Sequence, residues 1–235
     1  MEITVAYLYP DLLNLYGDRG NIIALKNRLE ARDIKANVKE YALTDNIDFG
    51  EIDILYIGGG SERSEALALN RLLELKEELK EYIENGGVTL AVCSGYEMLG
   101  KHIKDAKESR ECLGILDIHT IYGKRRMIGD IVIKSDLFGT VAGFENHYGK
   151  VYTGILSPIG NVTAAASGRS DTEGAMYKNL VATHLHGPVL PKNPKLADHL
   201  IKCALEKKYG EVDLQNLDDT LENKANEYIV NMFKK

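Results

Sequence analysis

Cysteine is scarce in this chain, with only Cys93, Cys112 and Cys203 present. An odd number without close pairing excludes a disulfide framework and points to a reducing compartment. Long apolar runs are lacking: no stretch approaches the ~18 residues of a membrane-spanning helix. The N-terminus opens on a charged residue and a short strand, not a signal peptide, so the expected location is the cytoplasm. Basic charge is also short, with a formal net charge of -6 and Lys124-Arg125-Arg126 as the only compact basic cluster. Nucleic-acid binding by counterion release needs clustered Lys and Arg, and is not expected. Metal-ligand spacings, internal repeats and low-complexity segments are missing, as is a Gly-x-x-x-x-Gly-Lys-Ser/Thr phosphate loop. No metal or nucleotide cofactor is therefore expected on this chain.

What remains is the composition of an ordinary globular protein. With 235 residues, 44% hydrophobic and 27% charged, the chain can bury a full core and fits one α/β domain or one and a half. Residues 1–212 are read as that domain and 213–235 as a C-terminal helical tail. Strands are expected over 3–8, 36–41, 52–57 and 88–92, with helices over 22–31, 66–84, 96–101, 197–209 and 218–233. Short β-branched runs over 113–121, 127–134, 141–144, 151–156 and 162–166 predict an antiparallel extension to a parallel first half, and 176–184 leads into Leu185-His186-Gly187-Pro188.

The informative stretch is Val88-Thr89-Leu90-Ala91-Val92-Cys93-Ser94-Gly95-Tyr96. A continuous apolar run reads as a buried parallel strand that delivers Cys93 at its carboxyl end. The following helix start supplies unpaired N–H groups and a positive dipole end, both of which favour thiolate. Gly95 permits the tight turn, as in serine elbows. A buried core cysteine is the competing reading for a lone thiol. Gly58-Gly59-Gly60, directly after another strand, lets backbone N–H groups approach a developing oxyanion, or is simply a flexible turn. A nucleophilic thiol needs a base, and the six histidines are His102, His119, His147, His184, His186 and His199. His186 is best placed, ending an apolar run before the rigid Gly187-Pro188 turn, and His184 is its main competitor. His102 and His199 read as surface helix positions. Asp18 and Arg19, in the loop after the first strand, either contribute to the site or brace the helix.

Gly58-Gly59-Gly60, Val92-Cys93-Ser94-Gly95-Tyr96 and His186 stand in the order and rough spacing of class I, or triad-type, glutamine amidotransferases, which the chain resembles. Tyr9-Pro10-Asp11, Tyr16-Gly17-Asp18-Arg19-Gly20-Asn21, Gly143-Phe144-Glu145-Asn146-His147 and the segment from Leu185 to Pro194 narrow the resemblance. They point to the GatD-type glutaminase subunits of lipid II isoglutaminyl synthases, in the cobyric acid synthase branch. The resemblance covers about residues 3 to 205. It implies a flavodoxin-like α/β domain that hydrolyses L-glutamine and passes ammonia to a MurT-like Mur ligase subunit in a heterodimer. ATP and Mg belong on that partner, which would amidate D-glutamate of the lipid II stem peptide.

Carried over by residue, Cys93 is the nucleophile and His186 its base. The N–H groups of Ser94 and of Gly59 or Gly60 receive the oxyanion. One arginine of Arg125-Arg126 clamps the substrate α-carboxylate, and Arg126 is the choice. Two departures stand out. Pro188 lies where many class I members carry a glutamic acid two residues after the histidine, so a third carboxylate comes from elsewhere or is absent, and the resemblance implies a Cys–His dyad. Glu97 replaces the usual glutamine and would oppose a Cys93 thiolate, bind the substrate α-ammonium, or be neutralised by an arginine. Alternative readings are an amidotransferase for another acceptor, as in cobyric acid synthases, or a silent scaffold subunit.

Overall fold

A computed structural model describes residues 1–234. In chain order its elements are β1 (Glu2–Leu8), α1 (Arg19–Glu30), β2 (Lys35–Tyr41), β3 (Ile54–Ile57), α2 (Glu62–Glu74), α3 (Lys76–Glu84), β4 (Val88–Val92), α4 (Ser94–Met98), β5 (His102–Lys104), β6 (Ser109–Glu111), β7 (His119–Ser135), β8 (Gly139–Tyr152), β9 (Gly160–Ala165), β10 (Thr172–Glu173), β11 (Ala175–Tyr177), β12 (Leu180–Thr183), α5 (Pro194–Tyr209) and α6 (Thr220–Met232).

The apolar runs of β3, β4 and β12 are buried at every position, as strands covered on both faces require. They lie in a sheet of order β11-β12-β4-β3-β1-β2, parallel except for β11. Side chains alternate between two cores. Ile3, Val5, Ile54, Leu90 and Val92 meet Ile22 and Leu25 of α1 and Leu200 of α5. Ala6, Leu8, Leu55, Ile57 and Ala91 meet Leu69 and Leu72 of α2 and Leu79 and Ile83 of α3. A second sheet, order β10-β9-β7-β5-β6 with β8 paired to β7, is the expected antiparallel extension, although its β5–β7 pair is parallel.

Several element boundaries differ from expectation. The single helix expected over 66–84 is two, broken at Leu75 (φ -103°, ψ 14°). The first begins early, where the Ser61 side chain caps the Ser64 N–H at 3.3 Å. The separate runs expected between 113 and 156 join into the long ribbon β7–β8, and its register breaks between Tyr122 and Met127 so that residues 123–126 bulge outward. His102 is not on a helix: it lies on β5 and stacks on His119, with ring centroids 5.2 Å apart. No helix among the described residues is long and apolar enough to cross a membrane.

Candidate active site

The loops after β1, β3, β4 and β12 converge at the carboxyl edge of the parallel sheet, the place where open α/β sheets bind ligands. Cys93 ends β4, its N–H donating to the Thr183 carbonyl of the neighbouring strand at 2.8 Å. Its backbone takes φ 54°, ψ -116°, a region that non-glycine residues rarely occupy. This conformation turns strand into helix within one residue and aims the thiol out of the sheet edge. Gly95 is needed for a different reason from the one expected: a Cβ there would lie 2.4 Å from the Ile57 carbonyl oxygen. Its lack of a side chain lets α4 sit against the end of β3.

His186 is fully buried and fixed by reciprocal backbone bonds with Phe144 of β8, 2.7 and 3.2 Å long. Its Nδ1 lies 3.2 Å from both carboxylate oxygens of Asp18, which is itself fully buried. The acid therefore holds Nδ1–H, leaving Nε2 as the nitrogen able to accept a proton. Nε2 is buried and has no hydrogen-bond partner. Gly59 places this ring beside the thiol, since a Cβ at Gly59 would lie 2.9 Å from Cys93 Cβ and 3.1 Å from His186 Cε1. Only a glycine fits between them. A third carboxylate thus completes a Cys93–His186–Asp18 arrangement in place of the expected dyad, supplied from the first loop of the chain.

This constellation coincides with sequence similarity along the chain. The model of the CobB/CobQ-like glutamine amidotransferase domain matches residues 4–194. The chain belongs to that family. It is 44% identical over 232 residues to the glutamine-hydrolysing lipid II isoglutaminyl synthase subunit GatD of Staphylococcus aureus strain N315, covering 97% of this chain and 95% of that protein. It is 36% identical over 235 residues to the subunit of the same name from Streptococcus pneumoniae strain R6, covering 97% and 90%. A crystal structure of a glutamine amidotransferase superposes with a TM-score of 0.60 at 16% identity, covering 85% of this chain and 98% of that one, and supports the fold.

In this amidotransferase the remaining residues named from sequence surround one cleft of about 440 Å³, lined by Gly60, Glu65, Cys93, Ser94, Glu97, Tyr122, Arg126 and Asn146 among others. Burial raises the Cys93 thiol well above its ordinary range, helped by the Glu97 and Asp18 charges and opposed by the Ser94 N–H. The helix-start effects expected to favour thiolate are therefore outweighed by burial. α4 has only five residues, too short a dipole to offset removal from water. Ser94 N–H faces the sulfur, as an oxyanion donor should. The two glycine N–H groups are engaged elsewhere in this state, Gly60 with Ser94 Oγ at 2.9 Å and Gly59 with Asp18 Oδ2 at 3.4 Å.

His184 makes a different set of contacts from His186. Its Nε2 lies 2.9 Å from Glu97 Oε1, and its ring stacks on His147 at 3.8 Å. Burial lowers His184 to about 4, and raises Glu97 to about 7 despite the Tyr122 hydroxyl that donates to it at 2.8 Å. No arginine among the described residues is ion-paired with Glu97; Arg110, bound to Glu65, only lowers the Glu97 pKa through space. Glu97, His147 and His184 come close enough to suggest an ion, yet parallel stacked imidazoles cannot both aim lone pairs at one metal. The β7 bulge carries Arg125 and Arg126 to different tasks. Arg125 donates to the Ser167 carbonyl at 2.6 Å, away from the cleft. Arg126 reaches the cleft, bonded through Nε to Asn146 and lying 5.2 Å from the centre of the Tyr148 ring. Asp18 was visible in the sequence without a role, and Asn146 only as part of a motif; Tyr122 had no signal, because the β7–β8 register is what brings it to the cleft.

Proposed function

We propose that this chain is the glutaminase subunit of a lipid II isoglutaminyl synthase, acting in the cytoplasm with a MurT-like Mur ligase partner. The observation that carries the chemistry is the His186 ring, bound to Asp18 through Nδ1 and presenting an unpartnered Nε2 beside Cys93. The acceptor is inferred from near full-length similarity to two GatD subunits.

His186 Nε2 takes the Cys93 proton as the sulfur attacks the side-chain amide carbon of L-glutamine, and Asp18 stabilises the resulting imidazolium. Ser94 N–H receives the oxyanion, joined by Gly60 or Gly59 N–H once the ligand displaces its present side-chain acceptor. Such donors are worth about 3 kcal/mol each. The imidazolium then protonates the leaving nitrogen, ammonia departs, and a thioester remains. Water attacks that thioester, giving its proton to His186, and glutamate is released with Cys93 restored. Arg126 clamps the α-carboxylate at the rim, while the acidic floor of Glu65 and Glu97 faces the α-ammonium group. The chain itself uses no metal or nucleotide. ATP and Mg serve the partner, which activates the D-glutamate α-carboxylate for attack by the ammonia.

Incubation of the purified chain with L-glutamine tests this reading, alone and with the co-expressed partner. Glutamate and ammonia are expected in equal amounts, and Cys93→Ala abolishes both without altering the circular dichroism spectrum. Turnover that survives Cys93→Ala would remove the thiol from the mechanism.

A further inference from the structure

The loop that supplies Asp18 also supplies Tyr16, and Tyr16 stands between the two halves of the site. Its backbone is left-handed (φ 57°, ψ 26°), a conformation an aromatic residue adopts at a cost and holds only when its surroundings fix it. Three contacts do so. The Tyr16 hydroxyl accepts from Asn146 Nδ2 at 2.7 Å and from an Arg126 terminal nitrogen at 3.1 Å. The edge of its ring meets the His186 ring, with centroids 5.0 Å apart and planes at 76°. On either side in sequence, Leu15 N–H donates to the Gly59 carbonyl at 2.9 Å, and Asp18 holds His186. One short turn thus touches the carboxylate clamp, the base and the glycine loop.

We infer that Tyr16 is a positioning residue that couples occupancy of the Arg126 clamp to alignment of the Asp18–His186 pair. The inference rests on reading the cleft as a glutamine site. Arg126 lies on the β7 bulge, where residues 123–126 have no register partner on β8, so its guanidinium depends on side-chain contacts for its place. Tyr16 supplies one of them. When a substrate carboxylate draws on Arg126, the change reaches Tyr16 through the shared hydroxyl. From there the packed ring passes it to His186, and the left-handed turn to Gly59. Tyr16 is 39% exposed at the cleft rim, so a docked partner subunit can press on the same turn.

The test is steady-state glutaminase kinetics of the full chain with its co-expressed partner, using Tyr16→Phe, Arg126→Ala and the double variant. Tyr16→Phe keeps the ring on His186 and removes only the hydroxyl. It is expected to raise KM for glutamine about tenfold and to lower kcat about fivefold, because the link from the clamp to His186 is cut. The double variant is expected to match Arg126→Ala, because the hydroxyl acts through that arginine. Tyr16→Ala, which also removes the ring, is expected to lower kcat at least tenfold. An unchanged KM or an unchanged kcat in Tyr16→Phe, or additive effects in the double variant, overturns the coupling while leaving the glutaminase reading intact. A wild-type complex that releases no ammonia from glutamine overturns both.

Discussion

At the scale of single residues the site separates two jobs that the sequence assigned to one. The elbow was expected to favour thiolate, but burial beside the Glu97 and Asp18 charges raises the Cys93 pKa instead, and on the proposed mechanism His186 removes the proton. A raised pKa means a smaller thiolate fraction at every pH below it. Alkylation of Cys93 by iodoacetamide, followed by mass spectrometry, should be slow at pH 7 and still climbing above pH 9. A rate that levels off by pH 7 would show a resting thiolate. His186→Ala should lower kcat by about 10²–10⁴-fold, and Asp18→Asn by about 10²-fold or more through loss of tautomer control. His184→Ala, which empties a place on Glu97 and not on Cys93, should cost far less; the reverse order moves the base to His184. Cys93, His186 and Arg126 were legible as candidates because they sit beside turn residues or in a rare basic cluster. Asp18 was legible as a residue and not as a role, since its 168-residue separation from His186 is closed only by the order of strands in the sheet.

Among the elements, those with an unbroken apolar pattern were the most legible. β1, β3 and β4 lie within a residue or two of expectation because burial on both faces leaves no alternative composition. The kink at Leu75 and the Tyr122/Met127 bulge were not legible: neither carries a proline, and both are set by what the element packs against. Helix α1 is tied to α5 by charge as well as by its apolar face. Arg28 donates to both carboxylate oxygens of Asp198 at 2.7 Å, and Arg32 to the same carboxylate at 2.8 Å. Both arginines are buried. Asp198→Ala would strand them without that partner, and urea denaturation should register a loss of about 3–5 kcal/mol. Asp219→Ala should cost about 1 kcal/mol, because Arg28 keeps Asp198. Burial opposes ionisation of Asp198, but its hydrogen bonds to Arg28 and Arg32 prevail and hold its pKa below the ordinary value. Its contribution is therefore full above the unfolded-state value near 4 and is lost as pH falls through the lower folded value. The acid limb of stability should flatten in Asp198→Ala; an unchanged limb would place the acid sensitivity elsewhere.

For the whole molecule, the arrangement gathers one end of a sheet into a cleft and leaves the rest of the surface unremarkable. A larger cavity of about 640 Å³, between Phe49, Tyr82 and Lys207 at the opposite edge of the sheet, has no cysteine, serine, threonine or histidine among its lining residues. The cleft lies beside the β7–β8 ribbon, with Arg126 and Tyr148 among its lining residues. On the proposed function, ammonia released in this cleft passes to the synthetase partner, which makes hydrolysis and ligation one process. Isotope transfer tests that claim most directly. The complex would be given glutamine labelled with ¹⁵N in the side-chain amide, together with ATP, Mg and lipid II, and the stem peptide analysed by mass spectrometry. The label should appear in the newly formed amide of D-glutamate. It should be lost in Cys93→Ala, and that variant should still amidate when supplied with ammonium chloride. Label transfer that persists in Cys93→Ala, or a product amide without label while wild-type glutamine is consumed, would contradict the role given to this chain.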